Sequence, residues 1–142
     1  KHLSPEKVLI HDVARPAVSE SIITDIISEI TEETGAAPGL AITDAIWKVS
    51  KGEIEKTLDR NFIFRAQTPQ GFPFLKIFEA HKKLSNEWAF DDVELAKKFG
   101  LNIILKNGNE ENIKITTPED FLKMSHILAK RLGPEFKKKV SN

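Results

Sequence analysis

The sequence predicts an α/β domain. Short apolar runs suited to strands alternate with amphipathic helical stretches, the pattern of a largely parallel sheet with helices packed on it. Apolar residues make up 40 % of 142, enough for one domain with a sizeable core. One polar hairpin, between Asp44 and Leu58, leaves the alternating pattern.

Charge is balanced at 21 basic and 21 acidic residues, so no global field favours nucleic acid or an acidic membrane. A local cationic pocket is still allowed. There is no cysteine, which excludes disulfides and thiolate metal sites and suits a reducing cytoplasm. No apolar run reaches the ~20 residues of a membrane span, and no signal peptide is visible. The chain begins at Lys1 and enters strand sequence almost at once, as a fragment would.

Lys7 to His11 reads as a buried strand. Asp12 and Arg15 follow at its C-terminal end, where ligands sit in open α/β sheets. They are either a loop ion pair or a carboxylate and a guanidinium facing a polar, anionic ligand. Ser19 to Thr34 reads as a helix capped by Ser19 or Ser21, with Ile22, Ile23, Ile26, Ile27 and Ile30 as its apolar stripe and Gly35 as its C′ residue. Ala36 to Ile42 is a second strand, in which Pro38 and Gly39 suggest an edge, a bulge or a close approach.

Asp44 to Val49 and Glu53 to Leu58 form a hairpin around Lys51-Gly52. A lone two-stranded hairpin is marginal in water, so it should pack on something, such as a second copy of the chain. Trp47 is then a satellite core residue or an interface anchor.

The stretch Asp59 to Phe72 mixes Arg60 and Arg65 with Thr68, Gln70 and apolar residues. It reads as a strand, Ile63 to Gln67, ending in a Thr68-Pro69-Gln70-Gly71 turn. Its arginines could fork onto phosphate oxygens, and Thr68 and Gln70 could donate hydrogen bonds. Pro73 opens a helix to about Leu84, with Phe74, Ile77, Phe78 and His81 on one face. His81 has no second histidine at metal-binding spacing.

Asp91-Asp92 begins the helix Val93 to Phe99, ended by Gly100. The two acids suit a cap; a metal role is the alternative. Leu101 to Leu105 is a strand, Asn107-Gly108-Asn109 a turn, and Asn112 to Thr116 another short strand. Lys114 within it either snorkels to solvent or points into a cleft as a phosphate-binding charge. Thr117-Pro118-Glu119-Asp120 is a capping box with Pro at N1, opening a helix to about Leu132 with Phe121, Met124, Ile127 and Leu128 inward. Gly133-Pro134 stops it, and Lys137-Lys138-Lys139 lies in a tail. No Gly-x-Gly-x-x-Gly, Walker loop or Ser-His-Asp order appears.

Three segments now line up: His11-Asp12-Val13-Ala14-Arg15-Pro16; Asp59-Arg60-Asn61 through Thr68-Pro69-Gln70; and Asn112 through Asp120. In series they resemble the 2-C-methyl-D-erythritol 4-phosphate cytidylyltransferases of non-mevalonate isoprenoid synthesis, over about Val8 to Leu128. Arg65 to Phe72 looks most like versions fused to 2-C-methyl-D-erythritol 2,4-cyclodiphosphate synthase.

The resemblance implies a Rossmann-like mixed sheet of the nucleotide-diphospho-sugar-transferase type, with a protruding β-hairpin dimer arm. Residues 1–132 would be the C-terminal portion of that domain, with the arm at about 44–58 and 133–142 as tail or linker. The family's N-terminal glycine-rich triphosphate loop is not in this sequence. The implied reaction is transfer of a cytidylyl group from CTP to methylerythritol phosphate with Mg²⁺ on the triphosphate, in a cytoplasmic homodimer. Arg60 and Lys114 match the pair that positions the methylerythritol phosphate. Thr68 matches a hydroxyl contacting that substrate, and Asp12 and Arg15 match residues lining the joint substrate and CTP site. No residue is assigned to metal.

Phe90 stands where the family has threonine, and Ala45 where threonine is common. A ribitol-phosphate cytidylyltransferase shares two of the patterns and is one alternative. The other is a binding or assembly fragment with no turnover of its own.

Overall fold

The computed structural model describes residues 5–133. The elements are β1 (Lys7–Ile10), α1 (Glu20–Glu29), β2 (Thr34–Ala41), β3 (Ile46–Ser50), β4 (Glu53–Leu58), a single 3-10 turn (Arg60–Phe62), β5 (Phe64–Ala66), β6 (Gln70–Pro73), α2 (Phe74–Lys83), α3 (Asp92–Lys98), β7 (Asn102–Asn107) and α4 (Pro118–Leu132). The tail expected beyond Gly133 lies outside the described residues.

The main sheet is mixed. β6 lies between β1 and β2, antiparallel to both, and β5 continues along the same side of β2, also antiparallel. β7 pairs with the other side of β2 in parallel, from Thr34↔Asn102 to Gly39↔Asn107. The expectation of a largely parallel sheet is therefore corrected: one of these four pairings is parallel. The alternation missed β6, because Thr68-Pro69-Gln70-Gly71 reads as a turn. Three residues, Gln67 and the cis-linked Thr68–Pro69, separate β5 from β6, and both strands keep to the same neighbour.

Helices cover both faces. Val8, Ile10, Phe72 and Ile103 pack with Ile77 and Ala80 of α2, Leu95 and Ala96 of α3, and Leu101 just before β7. Leu9 and Ala36 pack on the opposite face with Ile22, Ile26 and Ile30 of α1. Successive β1 side chains thus alternate between two cores, the period-2 signature of a strand covered on both sides.

Glycines make room at this crossing. A Cβ on Gly71 would meet Ile26, Ile30 and Leu9 at 2.5–2.9 Å. A Cβ on Gly35 would meet the Gly71 carbonyl oxygen at 2.6 Å. Gly35 was expected at a helix C′ position. It is instead inside β2, because α1 ends at Glu29 and Ile30 closes it with extended backbone. Pro38 and Gly39 do not mark an edge either. β2 is the central strand, and the close approach at Gly39 comes from Leu105 and from Gly108, whose N–H donates to the Gly39 carbonyl at 2.9 Å.

Two helix faces are rotated from expectation. In α2 the buried residues are Ile77 and Ala80, while Phe78 is 55 % exposed. In α4 Met124 is buried and Phe121 is 58 % exposed. Asn112 to Thr116 forms no strand. It is a loop tied to the loop after β1 by the Ile115 N–H on the Ala14 carbonyl at 2.8 Å.

The caps agree with the sequence. Ser19 caps α1, Asp91 caps α3, and Thr117 with Asp120 forms a reciprocal capping box on α4. β3 and β4 form a separate two-stranded sheet, turned by Lys51 and Gly52, both at positive φ. Trp47, Val49 and Ile54 on this hairpin are each more than half exposed.

Candidate active site

Three loops converge beyond the C-terminal end of β1. The first runs from His11 to Arg15 and folds back through the Arg15 N–H on the Asp12 carbonyl at 3.0 Å. The second is the junction of β5 and β6, Gln67-Thr68-Pro69. The third is Gly108 to Thr117, after β7.

Buried amides bring the loops together. Asn112 is fully buried and donates from Nδ2 to the Thr68 carbonyl at 2.9 Å. Gln67 is 5 % exposed and donates from Nε2 to the Asn109 and Asn112 carbonyls, while its Oε1 accepts the Asn109 N–H at 3.1 Å. Asn112 Nδ2 and both polar atoms of the Gln67 amide are paired, whereas Asn112 Oδ1 is buried without a partner; the paired groups fix where the third loop lies. Lys114 rides on that loop.

Arg15 completes the join. Its guanidinium donates to Asp12 Oδ2 at 3.4 Å, to the Asn112 carbonyl at 2.8 Å and to the Ala66 carbonyl at 3.3 Å. With a side chain only 11 % exposed, it acts as an internal clamp joining the loops after β1 and β7 to the last residue of β5.

The polar surface of the cluster is Asp12, Lys114 and Thr68. Lys114 Nζ lies 3.1 Å from Asp12 Oδ2, and the lysine side chain is 47 % exposed. Thr68 Oγ1 accepts the Asp12 N–H at 3.0 Å. Burial pushes the Asp12 carboxyl up, but the hydrogen bonds and charges of Lys114 and Arg15 together outweigh it and hold its pKa below the usual value. Two cations around one carboxylate leave local positive charge. An ammonium has three donors, so Lys114 can hold Asp12 and still meet an anionic oxygen. The arrangement suits a phosphorylated ligand with hydroxyls.

Among the expected site residues, Asp12, Arg15, Thr68 and Lys114 are joined in one network. Arg60 is outside it. Its Nη1 bonds the Thr43 carbonyl at the base of the hairpin. Arg65 pairs with Glu110 at 2.7 Å, both well exposed. Gln70 is buried and serves α3, donating to Asp91 Oδ2 at 2.9 Å and accepting the Val93 N–H at 3.1 Å. Asp91 is thus occupied as a cap, and Asp92 accepts from His81 at 2.7 Å.

Gln67, Asn112 and His11 were not singled out from the sequence. His11 ends the apolar run Val8–Ile10, whereas Gln67 and Asn112 carry no such signal in the sequence.

Two cavities lie elsewhere. One of about 280 Å³ is lined by His81, Asp91 and Asp92 among others, and one of about 790 Å³ by Lys7, Ile30 and Lys76 among others. Among the described residues no group of three or more His, Asp or Glu side chains could hold a metal. Asp12, the carboxylate of the cluster, already has Oδ2 engaged by Arg15 and Lys114. The side chains at this site therefore build no cage for Mg²⁺, which is commonly held largely by substrate phosphates and water.

Residues 2–130 match the family model of 2-C-methyl-D-erythritol 4-phosphate cytidylyltransferase, IspD. The chain belongs to this family.

It is 44 % identical over 128 residues to the 2-C-methyl-D-erythritol 4-phosphate cytidylyltransferase of Roseobacter denitrificans, covering 90 % of this chain and 58 % of that relative. It is 45 % identical to the bifunctional enzyme IspD/IspF of a Ruegeria species, covering 90 % of this chain and 33 % of that enzyme. The crystal structure of the cytidylyltransferase from Thermus thermophilus superimposes with a TM-score of 0.77 at 31 % identity, over 90 % of this chain and 64 % of that one. The chain thus spans a little over half the length of a monofunctional relative and a third of a bifunctional one.

Phe90, the position expected to depart from the family pattern, lies just before the α3 cap Asp91. It is 82 % exposed and meets Trp88 edge-to-face at a centroid distance of 4.0 Å, while its N–H bonds Glu94 Oε2 at 2.8 Å. Ala45 lies in the exposed loop just before β3.

Proposed function

We propose that the full-length protein transfers a cytidylyl group from CTP to 2-C-methyl-D-erythritol 4-phosphate. A phosphate oxygen of the sugar alcohol attacks the α-phosphorus, the bond to the β-phosphate breaks, and pyrophosphate leaves. The observation that carries this reading is the Lys114–Asp12–Arg15 cluster, assembled from two of the three family motifs in a cytidylyltransferase fold.

Attack of one anion on another needs fixed positive charge and positioning rather than covalent help from the protein. Lys114 is proposed to hold the methylerythritol phosphate. Asp12 is proposed to accept a substrate hydroxyl while its charge fixes Lys114, and Thr68 to contact the same substrate. Arg15 supports both from below, with its donors spent on the loops. Arg60 is proposed as the second phosphate-binding cation, reaching the site of a neighbouring subunit. That reading needs a homodimer through the hairpin. The half-exposed Trp47 and Ile54 and the hairpin's separate sheet support it. Mg²⁺ is proposed to arrive with CTP and neutralise triphosphate charge.

No helix among the described residues is long and apolar enough to cross a membrane. We propose a cytoplasmic protein with no nucleic-acid partner. For these 142 residues alone we propose negligible turnover, since the sequence has no glycine-rich loop for a triphosphate.

The test is cytidylyl transfer by the full-length protein with CTP and either methylerythritol phosphate or ribitol phosphate. Product from methylerythritol phosphate alone is expected. Product only from ribitol phosphate would move the substrate to the other polyol, and product from neither would refute the transferase reading.

A further inference from the structure

His11 is exposed beside the cluster, and its two ring nitrogens face different partners. Nε2 lies 3.0 Å from the Arg15 carbonyl, and Nδ1 lies 2.9 Å from Thr68 Oγ1. A carbonyl oxygen can only accept, so the bond to Arg15 needs the proton on Nε2. In a neutral imidazole Nδ1 is then bare and can only accept. The Thr68 hydroxyl must supply the proton of that bond. The same oxygen already accepts the Asp12 N–H at 3.0 Å.

The hydroxyl has one proton and two lone pairs. Its proton points at His11 and one lone pair faces the Asp12 N–H. What is left for a ligand is a single lone pair.

We infer that His11 is a positioning residue that fixes the direction of the Thr68 hydroxyl, so that Thr68 presents an acceptor to a hydroxyl of the substrate while the phosphate is left to Lys114. The inference rests on the proposed reading of the site and deepens it. Alcohol groups of a polyol phosphate are donors that Thr68 can read. A phosphate oxygen, which needs a donor, is met by the Lys114 ammonium, held 3.1 Å from Asp12 Oδ2, whose own N–H bonds Thr68. Two adjacent groups of opposite hydrogen-bonding sense would discriminate a polyol phosphate from inorganic phosphate or a deoxygenated analogue. His11 does this without touching the ligand, through Thr68, and its Nε2 bond ties its orientation to the same turn that carries Asp12.

The test has two parts, both on the full-length protein. In the first, His11→Ala, His11→Asn, Thr68→Val and the double variant His11→Ala/Thr68→Val are assayed for both substrates. His11→Ala should raise KM for the sugar phosphate about fivefold to tenfold and leave KM for CTP unchanged. His11→Asn, whose amide oxygen can stand near the Nδ1 position, should recover most of that loss. The double variant should be no worse than Thr68→Val. Independent, multiplying effects of the two substitutions, or equal changes in both KM values, would overturn the inference.

The second part needs no turnover. Side-chain nitrogen NMR of His11 at about pH 8, where free imidazole is neutral, should show the Nε2–H tautomer. The bare Nδ1 signal should shift in Thr68→Val. An Nδ1–H tautomer would overturn the inference even in a protein whose activity proved different. A wild-type protein without cytidylyl transfer but with the Nε2–H tautomer would instead sink the transferase reading and leave the hydrogen-bond direction standing.

Discussion

Arg15 Nη1 donates to the carbonyl of Asn112 at 2.8 Å, although the two residues are 97 positions apart in sequence. The bond joins the loop after β1 to the loop after β7. The same guanidinium reaches Ala66 in β5, so one side chain sets the spacing of the whole cluster.

Arg15→Ala should therefore cost stability as well as activity. Removing one partner of a largely buried charge network costs about 3 kcal/mol, readable as a lower urea midpoint. Arg15→Lys keeps the charge but cannot reach three acceptors with a planar fork, and should recover less than half of the loss. Wild-type stability in Arg15→Ala would show that the clamp carries no weight.

Lys114 should behave in the opposite way. Its side chain is 47 % exposed, and exposed ion pairs contribute about 0–1 kcal/mol. Lys114→Ala should leave the unfolding midpoint nearly unchanged. Turnover with methylerythritol phosphate should fall about 100-fold to 1,000-fold, the scale of losing one charge-stabilising donor. Retained turnover would remove Lys114 from the phosphate role.

Gly35→Ala and Gly71→Ala separate two kinds of crowding. The new methyl of Gly71→Ala meets only side-chain methyls, Ile26 Cγ2, Ile30 Cδ1 and Leu9 Cδ2, which repacking can shift. That of Gly35→Ala meets the backbone oxygen of Gly71 at 2.6 Å, within the sheet. Overpacking costs about 1–3 kcal/mol. Gly35→Ala should lie at or above the top of that range and Gly71→Ala lower, by thermal or urea unfolding of the two variants side by side. The reverse order would mean that the strands part more easily than the isoleucines repack.

Acid should weaken the fold through Asp12 and Asp120. The N–H and hydroxyl of Thr116 lower the Asp120 pKa against a smaller opposing effect of burial, with Thr117 adding to the lowering. At Asp12 burial opposes, and Lys114 and Arg15 outweigh it. Both folded pKa values lie below their unfolded ones, near about 3.9. The stabilisation is thus fully present above that value and disappears as pH falls through the folded pKa values. Urea midpoints measured from about pH 6 down to about pH 2.5 should drop less steeply in Asp120→Asn and Asp12→Asn than in the wild type. An unchanged slope in both variants would place the acid sensitivity elsewhere.

Much of this molecule was legible as local chemistry. Ser19, Asp91 and the Thr117–Asp120 box cap the helices the sequence assigned to them, because a cap acts within one turn of its own backbone. The hairpin turn at Lys51-Gly52 is local for the same reason. The motifs around Asp12, Thr68 and Lys114 marked the family, and four of the five expected site residues lie together, Arg60 being the exception.

Tertiary structure decided the rest. Whether β2 was an edge or a centre depended on strands far away in sequence, and of the alternatives open for Pro38 and Gly39 the structure shows the close approach and not the edge. β6 looks like a turn until β1 and β2 close on it from both sides. Phe78 and Phe121 are as apolar as Ile77 and Met124, yet only the latter pair found neighbours to cover them. The parts of His11, Gln67 and Asn112 were invisible for one physical reason. A polar side chain declares its role only through the partner that satisfies it, and theirs arrive across long stretches of chain.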